Sequence, residues 1–93
     1  MATVTIKITS NNNCIGQFIL YDEGLTELTK ESNKRAASWE LENGKLYYVH
    51  LTVVGDDGDK YKIEVQGASE AVYPTSEITL TDRRDDFWIK IIA

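Results

Sequence analysis

Leu46-Tyr47-Tyr48-Val49-His50-Leu51-Thr52-Val53-Val54, then Gly55-Asp56-Asp57-Gly58-Asp59, then Lys60-Tyr61-Lys62-Ile63-Glu64-Val65 is the stretch that decides the fold. In its first part Tyr47, Val49, Leu51 and Val53 alternate with Tyr48, His50 and Thr52. In its last part Tyr61, Ile63 and Val65 alternate with Lys60, Lys62 and Glu64. Successive side chains of a β-strand point to opposite faces, so a period of two writes one buried face and one wet one. The Asp-Gly pair between the two runs supplies the positive φ angles of a tight hairpin turn. Two antiparallel strands follow.

The same alternation recurs on either side. Val4, Ile6 and Ile8 alternate with Thr3, Thr5, Lys7 and Thr9; Ile78 and Leu80 repeat the pattern; Phe87, Ile89 and Ile91 alternate with Trp88 and Lys90. Turn signals stand between these runs at Asn11-Asn12-Asn13, Asp22-Glu23-Gly24, Glu42-Asn43-Gly44 and Tyr73-Pro74-Thr75. The spacing predicts strands over 2–9, 14–21, 37–42, 46–54, 59–66, 77–81 and 86–92. About seven short strands with turns roughly every eight to twelve residues predict an all-β domain, a small antiparallel β-sandwich of jelly-roll or immunoglobulin-like type. Residues 25–36 fit a crossover loop, a short helix or a ragged edge strand: Leu25 and Leu28 have helical spacing, but Thr26, Thr29, Ser32 and Asn33 are poor helix interior. The polar outer face of the first strand is typical of a tolerated solvent edge. The last strand, apolar on both faces apart from Lys90, is protected inside a sheet and open to a homodimer or strand addition at an edge.

The whole chain has 93 residues, the size of one domain, so 1–93 is expected to form a single sandwich. A formal net charge of −5 argues against nucleic acid, which wants clustered Lys and Arg, and leaves room for a cationic partner. Apolar runs are far shorter than the roughly 20 residues that span a bilayer, so no membrane partner is expected. Cys14 is the sole cysteine, which rules out an intrachain disulfide and leans toward a reducing, cytoplasmic compartment. No basic segment followed by an apolar one opens the sequence; a secreted chain trimmed of its leader fits the same residues.

Hairpin parity brings the acidic residues into play. If the last four long strands alternate in direction, the turns at 55–59 and 82–86 share one end of the sandwich. Asp56, Asp57, Asp59, Asp82, Asp85 and Asp86 then form an acidic rim, and Ca²⁺, which takes six to eight oxygen ligands, is the cofactor such a rim would hold. The competing reading is plain turn chemistry, with Arg83 and Arg84 neutralising the second loop; carboxylate-rich turns are commoner than metal sites, and the EF-hand spacing is missing. Whether Asp22 and Glu23 join the rim depends on whether 25–36 counts as a strand.

Trp88 and Tyr48 are the candidate ligand-binding residues. With Phe87, Ile89 and Ile91 inward, Trp88 and Ile92 face outward, and Tyr48 and His50 lie opposite the buried face of their strand. An exposed Trp with Tyr neighbours suits sugar stacking or a protein hot spot. Large aromatics mostly pack, so the competing reading has Trp88 shielding the core at a sandwich edge. Trp39 reads as core. No catalytic residues are expected: His50 is the sole base for Cys14 or a serine, Cys14 reads as a small half-buried hydrophobe, and no nucleophile elbow or phosphate loop is present.

One resemblance covers about half the chain. Phe18-Ile19-Leu20-Tyr21-Asp22, then Leu41, Gly44 and Tyr47-Tyr48-Val49, and finally Gly58 before Tyr61-Lys62-Ile63, resembles the bacterial pre-peptidase C-terminal type of jelly-roll domain. Two residues separate Gly44 from Tyr47 where that pattern has one, and residues 67–93 add two strands. The resemblance implies a small accessory sandwich of the sort attached to secreted enzymes, some of which bind calcium or polymeric substrates.

The expected function is a non-catalytic binding module for Ca²⁺, carbohydrate or both, acting through loops at one end of the sandwich and Trp88. The alternative is a protein-interaction or assembly subunit: a small acidic partner of a basic protein, or a homodimer through an edge strand.

Overall fold

The computed structural model describes residues 1–93 and contains no helix. Nine strands follow in chain order: β1 (Ala2–Thr9), β2 (Ile15–Asp22), β3 (Glu27–Lys34), β4 (Ala36–Leu41), β5 (Leu46–Val54), β6 (Lys60–Gln66), β7 (Glu70–Val72), β8 (Ile78–Thr79) and β9 (Arg84–Ile92). They form a four-stranded sheet in the order β4-β1-β6-β8 and a five-stranded sheet in the order β3-β2-β5-β9-β7, with every pairing antiparallel. The two sheets pack face to face as a β-sandwich.

The period-two residues are what the sheets bury. Val4, Ile6, Ile8, Trp39, Tyr61 and Ile63 from the smaller sheet meet Phe18, Leu20, Val49, Leu51, Val53, Ile89 and Ile91 from the larger one in a single core cluster. Phe18 and Trp39 meet edge to face across the layers, ring centroids 6.5 Å apart, as do Tyr61 and Phe87 at 6.4 Å. Such contacts add about 0.5–1.5 kcal/mol to the area the rings bury. Trp39, expected in the core, is there. Cys14, expected half-buried, is fully buried.

Nine strands replace the expected seven. The unsettled stretch 25–36 holds β3, an edge strand with nearly every residue exposed; Thr29 on it accepts a 3.0 Å hydrogen bond from the Trp39 indole, which ties that edge to β4. The second addition is β7, three residues that pair with β9. Its presence makes Lys90–Ile92 of β9 interior between β5 and β7, while Arg84–Ile89 pairs with β5 alone. β1 corrects the expectation more directly. It lies between β4 and β6, not at an edge. Its threonines are simply the solvent face of an interior strand, which looks the same in sequence.

Two turns carry backbone positions that matter below. Asp82 and Arg83 both have positive φ (55° and 67°) between Thr81 and Arg84, and Arg84 N–H donates to Thr81 O at 3.3 Å, a primed β-turn that carries the chain from β8 in one sheet to β9 in the other. Leu25 has φ 62° and is the one apolar residue among the non-glycine positions in that region.

Candidate functional site

The aspartate turns do lie side by side. Asp82 N–H donates to Asp57 Oδ1 at 3.1 Å, Gly55 N–H to Arg83 O at 3.2 Å, and Gly58 N–H to Leu80 O at 2.9 Å. The six carboxylates nonetheless do not converge. Asp59 Oδ2 accepts from Asp56 N–H at 3.0 Å inside its own turn. Asp85 and Asp86 are consecutive on β9 and therefore point to opposite sides of the sheet. Asp85 accepts the Tyr61 hydroxyl at 2.6 Å; burial, and then the Asp85 carboxylate, push the Tyr61 phenol far above the ordinary tyrosine range. Asp86 turns outward, accepts the Thr52 hydroxyl at 2.7 Å and receives Arg84 Nε at 3.1 Å. Those hydrogen bonds, Arg84's first, hold the Asp86 carboxyl below the usual carboxylate range. No three His, Cys, Asp or Glu side chains are grouped so as to hold a metal ion. Asp22 and Glu23 sit at the opposite pole, since Asp22 pairs with Tyr47 at the start of β5 while Asp85 pairs with Val53 near its end.

The aromatic candidates are brought together. On an antiparallel sheet, directly paired residues share a face. The outer face of the larger sheet therefore carries one row of Tyr21, Tyr48, Lys90 and Val72, a second of Ile19, His50 and Trp88, and a third of Gln17, Thr52 and Asp86. Trp88 is 57% exposed, so its outward register holds and it does not plug the core. Its indole stacks on His50 with centroids 4.9 Å apart and planes 25° from parallel, and it lies 5.3 Å from the Tyr21 ring. Trp88 and Tyr21 stand on β9 and β2, with β5 between them, so both rings lean together over the middle strand. His50 Nε2 is 3.3 Å from Asp86 Oδ1, which places a carboxylate behind the imidazole.

Beside this cluster is a shallow depression of about 290 Å³ lined by Glu23, Leu25, Tyr48 and Trp88. Tyr21, His50 and Leu25 were not among the expected site residues. Alternation along β2 puts Tyr21 outward, so its face was readable; its nearness to Trp88 depends on the strand order β2-β5-β9. Leu25 comes from the β2–β3 loop and left no such signal.

Cys14 lies in the core near Gly55 and Asp59, whereas His50 is on the outer face of the sheet, so the structure does not pair these two residues. No family model, curated protein or solved structure matches this chain.

Proposed function

We propose that this domain is a non-catalytic binding module that takes neutral carbohydrate on the outer face of its five-stranded sheet, with Trp88 as the stacking residue. The observation that carries the reading is an indole left 57% exposed yet fixed in place by rings on two other strands. An exposed Trp normally loses side-chain freedom when it binds; here the stack on His50 and the contact with Tyr21 have already restricted it, which lowers the cost of ordering on association. Sugar rings present C–H faces to such a surface, and their hydroxyls need donors and acceptors around it. Glu23 accepts, Lys90 donates and the Tyr48 hydroxyl does either. Glu23 lines the depression and Lys90 stands beside Tyr48 on the same row, so one acid and one base flank the indole, which suits a neutral polyol better than an ion.

The binding surface thereby moves from the loops at one end to a sheet face. At the aspartate turns Asp57, Asp59, Asp85 and Asp86 already accept protein donors, and Asp85 and Asp86 point to opposite sides of the sheet, so no cation enters the proposal. The test is affinity electrophoresis and isothermal titration against neutral polysaccharides and oligosaccharides, with Trp88→Ala as control. Binding that the substitution abolishes supports the reading; an absence of binding to every neutral glycan tried overturns it.

A protein partner on the same face is the second reading. Val72, on the same row as Tyr48, is 67% exposed and extends the apolar surface past the reach of one sugar ring. Retention of the domain by a protein partner, lost with both Val72→Ser and Trp88→Ala, would favour it.

A further inference from the structure

The geometry points to Leu25 as the residue that makes this face select the terminal ring of a glycan over the interior of a long chain. The inference rests on the carbohydrate reading of the Trp88 face and adds what part of the glycan is held.

The β2–β3 loop breaks a local rule. Glu23, Gly24 and Leu25 form a three-residue hairpin loop: Leu25 N–H donates to Asp22 O at 3.0 Å, Asp22 N–H to Thr26 O at 3.0 Å, and Thr26 N–H to Asp22 Oδ1 at 2.9 Å. The last residue of such a loop adopts the left-handed conformation, and glycine is its usual occupant. Here that residue is Leu25, with φ 62°, while the glycine stands one place earlier, outside the positive-φ region. A leucine in this conformation is strained, and burial does not offset the strain, because Leu25 is 59% exposed. Strain that packing does not explain is a mark of functional positions.

The side chain has a definite neighbourhood. With Trp88 and Tyr48 it walls the depression of about 290 Å³ that Glu23 completes. That is at or below the low end of the roughly 300–1,000 Å³ of sites for drug-sized ligands, room for one ring stacked on the indole and closed on one side. A chain running on along the sheet past Leu25 would meet the loop. A terminal ring does not, and its free hydroxyls reach Glu23.

The test compares the whole domain with Leu25→Gly and Leu25→Asn, both of which suit the left-handed backbone, so loss of function is separable from loss of fold. Methyl glycosides of glucose, galactose, mannose and N-acetylglucosamine, and linear tri- and hexasaccharides of the same sugars, are titrated into each. For the sugar that binds, the parent is expected to hold tri- and hexasaccharide equally within about twofold. The variants should melt at or above the parent temperature, bind the trisaccharide about tenfold more weakly, a change of 1.4 kcal/mol, and lose the parent's indifference to length by holding the hexasaccharide several-fold tighter than the trisaccharide. Parent affinity that climbs with each added sugar, or variants that match the parent in affinity and length dependence, overturns the role of Leu25 while leaving the binding face intact. No glycan binding by the parent removes both.

Discussion

Trp88 lies stacked on His50 across the β5–β9 pair, centroids 4.9 Å apart, and the imidazole is backed by Asp86 at 3.3 Å. The arrangement follows from register: His50 and Trp88 are directly paired, as are Thr52 and Asp86 one step along. Cross-strand pairs of this kind are worth about 0.2–1 kcal/mol each, enough to orient an indole but not to hold a fold together. Orientation is therefore their main product.

Replacing Trp88 with Ala should then cost the fold little and the binding face much. Stability is expected to change by about 1 kcal/mol or less, the scale of an exposed aromatic contact. Affinity for any ligand of this face should fall at least about tenfold, as for a hot-spot residue. Fluorescence offers a simple check, since Trp39 is 8% exposed and Trp88 is 57% exposed. Iodide should quench about one emitter in the parent and essentially none in the variant.

Calcium should not move the melting temperature. A site whose dissociation constant is one-hundredth of the added calcium would stabilise by about 2.7 kcal/mol, several degrees in a domain this small. With Asp57, Asp59, Asp85 and Asp86 already engaged, millimolar calcium and chelator are expected to give superimposable melts. A rise of several degrees would mean that the turns at 55–59 and 82–86 reorganise around the ion.

Tyr61 sets an alkaline limit. Its phenol is held protonated in the folded state by burial and by Asp85, whereas in the unfolded chain it ionises near the ordinary value of about 10. The unfolded state thus releases a proton that the folded state keeps, and stability falls as pH rises above about 10. Absorbance at 295 nm should show a tyrosine ionisation that comes only as the domain unfolds. In Tyr61→Phe that late step should disappear. A smooth titration of every tyrosine below unfolding contradicts the assignment.

Two glycines separate backbone strain from collision. Gly67 has φ +86°, and a Cβ there would fall 2.0 Å from Thr3 O; Gly44 has φ +79° with nothing within 4 Å of the same position. Gly44→Ala should cost about 1 kcal/mol from conformation alone. Gly67→Ala must also displace β1 and should cost about 3 kcal/mol or more, a fall in Tm of roughly 12–24 °C. Equal effects in urea melts would mean that the 67–69 turn does not pack against Thr3 as described.

The sandwich was legible where one strand face is wet and the other dry. β5, β6 and β9 state this in every second residue, and so does β1, although its interior position does not show because an interior strand of a solvated sheet has the same alternation as an edge. β3 was not legible for the converse reason: with both faces in water, Glu27–Lys34 has no apolar period to display. β7 is too short to carry one. At the candidate site, alternation placed Trp88 and Tyr48 correctly on the outer face but was silent on which strands stand next to β5, so Tyr21 entered only with the sheet order. The two aspartate turns share one pole as expected, but not all their carboxylates face the same way. β9 begins at Arg84, two residues before the expected start, so Asp85 and Asp86 belong to a strand and diverge.

The most direct measurement is a map of amide and indole chemical shifts in the labelled domain as a neutral oligosaccharide is added. The largest changes are expected on Tyr21, Leu25, Tyr48, His50 and the Trp88 indole N–H, with the turns at 55–59 and 82–86 unmoved. Shifts confined to those turns, or to the threonine face of β1, would contradict it.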